Sequence, residues 1–142
     1  MSLTSGPIVY VEDDQDDVAV FEQALAELGI PNELKSFSSS NDALNYLLTT
    51  TDLVYLIFSD INLPGKNGME LKLTIDLTPE LRRKSIPFIF FTTTANNSDI
   101  ELAYLKMTLQ GYFTKPTDFK QMLTLMQTIF DYWSSCKHPN II

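Results

Sequence analysis

The sequence contains very little cysteine, histidine or basic charge. Its 142 residues include one cysteine, Cys136, and one histidine, His138, so no cluster of these residues is available to bind a transition metal. A single cysteine cannot form a disulfide within the chain, which favours a reducing compartment. The 10 basic residues are outnumbered by 18 acidic residues, and their one cluster, Arg82-Arg83-Lys84, is interpreted as a solvated face. The composition argues against nucleic-acid binding, which needs a basic surface.

Long apolar runs, repeats and linkers are also missing. No apolar run approaches the length that spans a membrane, and the first residues, MSLTSGP, have neither an apolar core nor a basic start. We therefore expect a cytoplasmic protein that makes no membrane contact. A chain of 142 residues suits one domain, with a core at about 7–135, a frayed tail at 136–142 and no room for a second folded domain.

Short apolar runs alternate with segments of helical spacing. The runs predict five strands, at 7–11, 33–37, 53–58, 87–91 and 112–113. Between and after them, apolar residues recur at helical spacing in five segments, near 18–28, 40–48, 68–75, 97–107 and 119–133, and Thr78-Pro79-Glu80 adds a short helical turn. This alternation predicts an α/β fold, with a parallel sheet that carries helices on both faces.

The segment at 53–68 contains the most informative of these strands. Its unbroken apolar run suits a strand that is covered on both faces, and the run ends on Ser59-Asp60 before turn-forming proline, glycine and asparagine residues. Asp60 therefore lies where a buried strand emerges into a loop. Ligands of open α/β sheets bind at such strand ends, although by its position alone Asp60 can equally be the cap of a turn.

Polar side chains follow four of the five predicted strands. Glu12 and Asp13 follow the first strand, Asp60 the third, Thr92 the fourth and Lys115 the fifth. Because the carboxyl ends of parallel strands share one edge of the sheet, we expect these side chains to converge. Three neighbouring carboxylates repel one another and raise their own pKa values unless a cation binds among them. An all-oxygen set of ligands favours Mg²⁺.

The same group of residues suits phosphoryl chemistry. A magnesium ion, the ammonium of Lys115 and the hydroxyl of Thr92 around one carboxylate would form a clamp for a phosphoryl group. The carboxylate of Asp60 can itself be the nucleophile, which gives an aspartyl phosphate. Three further acids that follow the first strand are interpreted as cap and first-turn residues of a helix rather than ligands: Asp14, Asp16 and Asp17.

Four motifs in this order resemble the receiver domains of two-component response regulators. They are VEDD at 11–14, SDINLPGKNG at 59–68, FTT at 91–93 and GYFTKP at 111–116. The chain looks most like the stand-alone receivers that are partnered with phytochrome histidine kinases. The resemblance implies a flavodoxin-like, doubly wound sheet of five strands in the order 2-1-3-4-5.

The resemblance also implies an acceptor residue and a metal site. Asp60 would accept a phosphoryl group from a histidine kinase or a histidine phosphotransfer protein. Glu12, Asp13 and Asp60 would bind Mg²⁺ through their carboxylates, and Asn62 would do so through its backbone carbonyl. The family commonly has aspartate where this chain has Glu12, whose longer side chain would still reach the metal.

Four other positions carry the family's phosphoryl-binding and switching roles. Thr92 and Lys115 would bind the phosphoryl group. Tyr112 would turn inward as Thr92 moves, and Pro116 would follow a cis peptide bond. These changes would alter the face made by the fourth helix, the fifth strand and the last helix, and so its contacts with an unknown downstream protein or with a second copy of the chain.

Three other functions compete with this interpretation. An aspartate-dependent phosphatase usually has a second aspartate where this chain has Asn62, so the expected catalysis is at most the chain's own phosphorylation and dephosphorylation. A flavin- or nucleotide-binding domain would need a glycine-rich loop after the first strand, where this chain has acids. A degenerate receiver, which binds its partners unphosphorylated, stays open, although every chemical position is occupied by a suitable residue.

Overall fold

A five-stranded parallel sheet lies at the centre of the computed structural model, which describes residues 6–93 and 96–139. The strands are β1 (Ile8–Val11), β2 (Leu34–Phe37), β3 (Leu56–Ser59), β4 (Phe88–Thr92) and β5 (Gly111–Thr114). Their order is β2-β1-β3-β4-β5, and all four pairings are parallel. The predicted α/β class and the strand order 2-1-3-4-5 are confirmed.

Helices cover both faces of this sheet. They are α1 (Gln15–Glu27), α2 (Ser40–Thr49), α3 (Gly68–Leu77), α4 (Pro79–Lys84), α5 (Asn97–Lys106) and α6 (Phe119–Ser135). One apolar core joins α1 and α6 to the sheet, and a second joins the other four helices to the opposite face. The short turn predicted at 78–80 is the beginning of α4. The face predicted to switch is therefore the one formed by α5, β5 and α6.

Burial on both faces explains the unbroken apolar strands. In β1, Ile8 and Tyr10 belong to the core beside α1 and α6, whereas Val9 and Val11 belong to the core on the other face. Successive side chains of a strand point to opposite faces, so every position of a doubly covered strand must be apolar. The first position past such a strand is where a polar side chain becomes possible.

The third strand begins later than its apolar run suggests. The prediction places it at 53–58, whereas β3 comprises Leu56–Ser59. Val54 and Tyr55 are buried ahead of the strand, and the backbone N–H of Tyr55 donates to the carbonyl of Pro7 at 2.8 Å. An apolar run reports burial rather than strand geometry, so it extends past the paired residues.

The structure differs from the predicted frayed tail at Cys136 and His138, which pack against the core. His138 is 4% exposed, and its ring stacks on that of Tyr55 with centroids 4.9 Å apart. Its Nε2 lies 2.6 Å from the carbonyl oxygen of Tyr55. The rest of the predicted tail, 140–142, lies outside the described residues. The end of the described chain is thus attached beside the amino end of β3.

The burial of His138 predicts a pH-dependent contribution to stability. Burial lowers the pKa of the imidazole below its ordinary value near 6.5, against the opposing effect of the Tyr55 carbonyl. The folded state therefore binds the proton less well than the unfolded chain, and this contribution is complete above about pH 6.5 and is lost as the pH falls below it. Urea denaturation of the wild type and of His138→Phe between pH 8 and pH 5 should give a steeper loss of stability for the wild type. Equal slopes would contradict the burial of a neutral imidazole.

Candidate functional site

Asp60 follows β3 directly, at the carboxyl edge of the sheet. Its side chain is buried, and its Oδ1 accepts the backbone N–H groups of Ile61 at 2.7 Å and of Asn62 at 3.3 Å. Its Oδ2 has no contact with this loop and lies 3.3 Å from Nζ of Lys115. One oxygen of Asp60 is therefore the cap of a turn, and the other faces the remaining polar residues of the edge.

Gly68 closes the loop that carries Asp60. Its backbone N–H donates to the carbonyl of Ile61 at 2.9 Å, and it is the first residue of α3. A Cβ atom at this position would lie 2.1 Å from the backbone oxygen of Asp60. Only glycine permits this approach, because that distance is far shorter than any van der Waals contact.

Lys115 brings the other strand ends together. It follows β5 and is buried, and its ammonium contacts the carboxylates of Glu12, of Asp60 at 3.3 Å and of Asp17 at 2.8 Å. Glu12 is 1% exposed at the end of β1, where its Oε2 accepts the backbone N–H of Asp14 at 3.2 Å. Residues from β1, β3 and β5 thus form one buried cluster of charges.

The pKa values of the cluster reflect burial and this shared ammonium. Burial raises the pKa of Glu12 to about 7, although Lys115 opposes the rise. Burial also acts to raise the pKa of Asp60, but the nearby Thr92 hydroxyl, Lys115 and the N–H of Asn62 outweigh it and lower the value. Burial acts to lower the pKa of Lys115, and its carboxylate partners raise it further than burial lowers it. At neutral pH, Asp60 is an ionised carboxylate beside a charged ammonium.

Thr92 contributes a hydroxyl to the same edge. It ends β4 and is completely buried, and its Oγ1 has no hydrogen-bond partner among the described residues. The hydroxyl lies close enough to the Asp60 carboxylate to lower its pKa. The hydroxyl thus lies at the Asp60 carboxylate with no other partner in the described chain, which leaves it available to donate to a further oxygen at this edge.

Two of the four predicted metal ligands are buried and the other two are exposed. Glu12 and Asp60 are buried together, whereas Asp13 and Asn62 are exposed on the loops that follow the same two strands. Within the described chain, no three acidic, histidine or cysteine residues are close enough together to form a metal site. The ammonium of Lys115 lies between Glu12 and Asp60 and supplies the positive charge there.

The structure contradicts the predicted cis peptide bond before Pro116. No peptide bond among the described residues is cis, so the bond between Lys115 and Pro116 is trans. The preference of such a bond for trans is only about 0.5–1 kcal/mol, and the local geometry decides the isomer. Here Lys115 reaches its three carboxylates from a trans bond.

Tyr112, the predicted switch residue, is half-buried, and its ring meets that of Phe90 edge-on, with centroids 5.8 Å apart.

The sequence analysis did not identify two residues of the cluster. Asp17 lies in the first turn of α1, as predicted, but it also pairs with Lys115. Tyr10 lies in the buried strand β1, and its hydroxyl is 3.5 Å from Oε1 of Glu12. Neither contact has a local signal, because each depends on how α1 and β1 lie against the end of β5.

The chain belongs to the response regulator receiver domain family, whose sequence profile matches residues 8–127. Members of this family are signalling domains that are phosphorylated on an aspartate in two-component systems, and this is the function of the chain.

Within the described residues, no helix is both long and apolar enough to cross a membrane.

Relatives within the family include regulators of light signalling. The chain is 30% identical over 141 residues to the response regulator Rcp1 of Synechocystis sp., covering 94% of each sequence. The crystal structure of the phosphorylated cyanobacterial phytochrome response regulator RcpA has 29% identity and a TM-score of 0.82, over 94% of this chain and 98% of that one. The Mn²⁺-bound form of Rcp1 has 27% identity and a TM-score of 0.80, over 94% of this chain and 99% of that one. Divalent metal binding is thus a property of a near structural neighbour.

Proposed function

We propose that Asp60 is the aspartate that accepts the phosphoryl group, from a histidine kinase or a histidine phosphotransfer protein. The observation that carries this proposal is the environment of its two oxygens. The loop's N–H groups fix Oδ1, whereas Oδ2 faces the ammonium of Lys115, with the unpaired hydroxyl of Thr92 nearby. The phosphoryl donor would meet a buried, ionised carboxylate whose Oδ2 is already oriented by Lys115.

The surrounding residues supply positioning and charge rather than further covalent steps. In the transfer, Oδ2 of Asp60 forms a bond to phosphorus as the bond from phosphorus to the donor breaks. Lys115 would neutralise the charge of the arriving oxygens, and the hydroxyl of Thr92 would donate a hydrogen bond to one of them. Catalysis by this chain is then confined to its own phosphorylation and dephosphorylation.

A magnesium ion would be held by the acids of β1 and β3. The proposed donors are the carboxylates of Glu12, Asp13 and Asp60 with the backbone carbonyl of Asn62, and this all-oxygen set fits a hard divalent cation. When bound, the ion would neutralise phosphoryl charge as transfer proceeds. Two of these carboxylates, Glu12 and Asp60, already share one cation, the ammonium of Lys115, so the ion would bind as this ammonium moves aside and the exposed Asp13 turns inward.

Phosphorylation would change the protein contacts of the face formed by α5, β5 and α6. Thr92 and Tyr112 connect the site to this face, and the buried hydroxyls of both lack a partner among the described residues. A phosphoryl group that engages Thr92 would draw it toward Asp60 and allow Tyr112 to turn inward. Apolar side chains on the face are exposed, with Leu105 at 71% and Tyr132 at 63%, and would contact a cytoplasmic downstream protein or a second copy of the chain.

Loss of the acceptor provides the test of this proposal. Incubation with a small phosphodonor and Mg²⁺ should add the mass of one phosphoryl group to the wild type, and none to Asp60→Asn. The matched control is Asp42→Asn, which removes an exposed acid of α2 and should be modified like the wild type. An unmodified wild type, or a modified Asp60→Asn, would contradict the assignment.

A further inference from the structure

The ammonium of Lys115 has all three of its N–H groups engaged by carboxylates. It contacts Glu12, Asp17 and Asp60, and its distance to Asp17, 2.8 Å, is shorter than the 3.3 Å to Asp60. An ammonium has three donors and no more. A phosphoryl group on Oδ2 of Asp60 would take over the contact of that oxygen with Lys115. A second phosphoryl oxygen can bind Lys115 only if Glu12 or Asp17 gives up its hydrogen bond.

Asp17 is the partner that can give up this bond most easily. Its side chain is 37% exposed, whereas those of Glu12 and Asp60 are at most 9% exposed. A carboxylate at the surface is solvated by water when it loses its cation, whereas a buried one needs another cation in its place. Asp17 also comes from α1 and is outside the proposed set of metal ligands, so it has no other charge to balance in the site.

The space around Asp17 supports such an exchange. An open cavity of about 360 Å³ lies beside the ion pair and is lined by Asp17, Lys115 and Thr93, among others. Asp17 lines this open space, so its side chain has room to turn away from Lys115. On the buried side of the cluster, the hydroxyl of Tyr10 lies 3.5 Å from Oε1 of Glu12.

We propose that Asp17 is a positioning residue that competes with the phosphoryl group for Lys115, and so favours the unphosphorylated state of the domain. This inference rests on the proposed role of Asp60. In the resting protein, Asp17 draws the ammonium toward α1. After phosphorylation, the greater negative charge at Asp60 draws the ammonium back and releases Asp17 to solvent.

The affinity for beryllofluoride, a mimic of the phosphoryl group, measures this competition directly. Binding to the full chain in excess Mg²⁺ can be followed by the fluorine NMR signals of the bound anion. Asp17→Asn should bind about threefold to fivefold more tightly than the wild type, the size expected for removal of a partly exposed ionic partner. Asp17→Glu, which keeps the carboxylate, should stay close to the wild type.

The neighbouring acid provides a matched control. Asp16→Asn removes the same charge from the same first turn of α1, but Asp16 is exposed and has no contact with Lys115. Its affinity should stay within about twofold of the wild type, because only a distant, screened charge is lost. Thermal denaturation of all variants without beryllofluoride checks that their folds are equally stable.

The possible outcomes separate this inference from the proposed function. A wild type that binds no beryllofluoride would contradict the assignment of Asp60. A wild type that binds, with Asp17→Asn no tighter than Asp16→Asn, would overturn the competition while leaving Asp60 in place. Weaker binding by Asp17→Asn would also overturn it, since Asp17 would then support Lys115 rather than compete for it.

Discussion

Replacement of Gly68 by alanine should lower the free energy of unfolding by about 3 kcal/mol, the upper end of the usual cost of overpacking. The new Cβ would lie 2.1 Å from the backbone oxygen of Asp60 and 2.8 Å from Cα of Ile61. Both contacts are with backbone, so neither can be relieved by a change of rotamer. Because the loop must open, Asp60 should also move, and the extent of phosphorylation should fall. Urea denaturation and the mass gain with a small phosphodonor measure the two effects.

The loop contains a second glycine that serves as the control. Gly65 has a φ of +72°, and a Cβ added there would have no atom within 4 Å. Gly65→Ala should therefore cost only about 1 kcal/mol, for the left-handed backbone, and phosphorylation should be retained. Equal losses in the two variants would show that the close approach at Gly68 does not hold the loop.

Removal of the ring of Phe21 is expected to have the second large effect. Phe21 is completely buried, and its ring lies 4.4 Å from that of Tyr10, 5.0 Å from that of Phe58 and 6.1 Å from that of Phe91. It packs α1 against three adjacent strands that carry site residues at their ends. Phe21→Ala should lower the free energy of unfolding by about 4 kcal/mol, through lost burial and the cavity left behind.

A leucine at the same position tests whether the ring or the volume matters. Phe21→Leu retains most of the apolar volume and should cost about 1.5 kcal/mol, because the site can repack around it. Urea denaturation of the two variants gives both values. A loss of less than 1 kcal/mol for alanine would mean that the core collapses onto the cavity, and that α1 depends on other contacts.

Much of this architecture could be predicted from the sequence because its signals are local. Double burial makes β1, β3 and β4 visible as apolar runs, and their polar successors Glu12, Asp60 and Thr92 follow at once. A parallel sheet then determines that these ends share an edge. The convergence of Glu12, Asp60 and Lys115 follows from this shared edge alone and could therefore be predicted.

The features that could not be predicted depend on contacts between distant segments. The pairing of Asp17 with Lys115 joins residues 98 positions apart, and the packing of His138 on Tyr55 joins residues 83 positions apart. The sequence pattern of a polar first-turn residue or of a polar tail is the same whether or not a distant partner contacts it. The isomer at Pro116 is similar, since the small intrinsic preference of the bond leaves the choice to its surroundings.

The packing of the chain's end beside the start of β3 has a practical consequence for labelled versions of the protein. His138 lies at Tyr55, just before this strand, and Asp60 lies just after it, about 16 Å from Tyr55 for five residue steps along the strand. A fluorophore or affinity handle fused directly after Pro139 would lie at the sheet edge opposite Asp60. Handles placed there should leave modification by a small phosphodonor unchanged, whereas trimming the chain before His138 would uncover Tyr55 and loosen the strand that ends at Asp60.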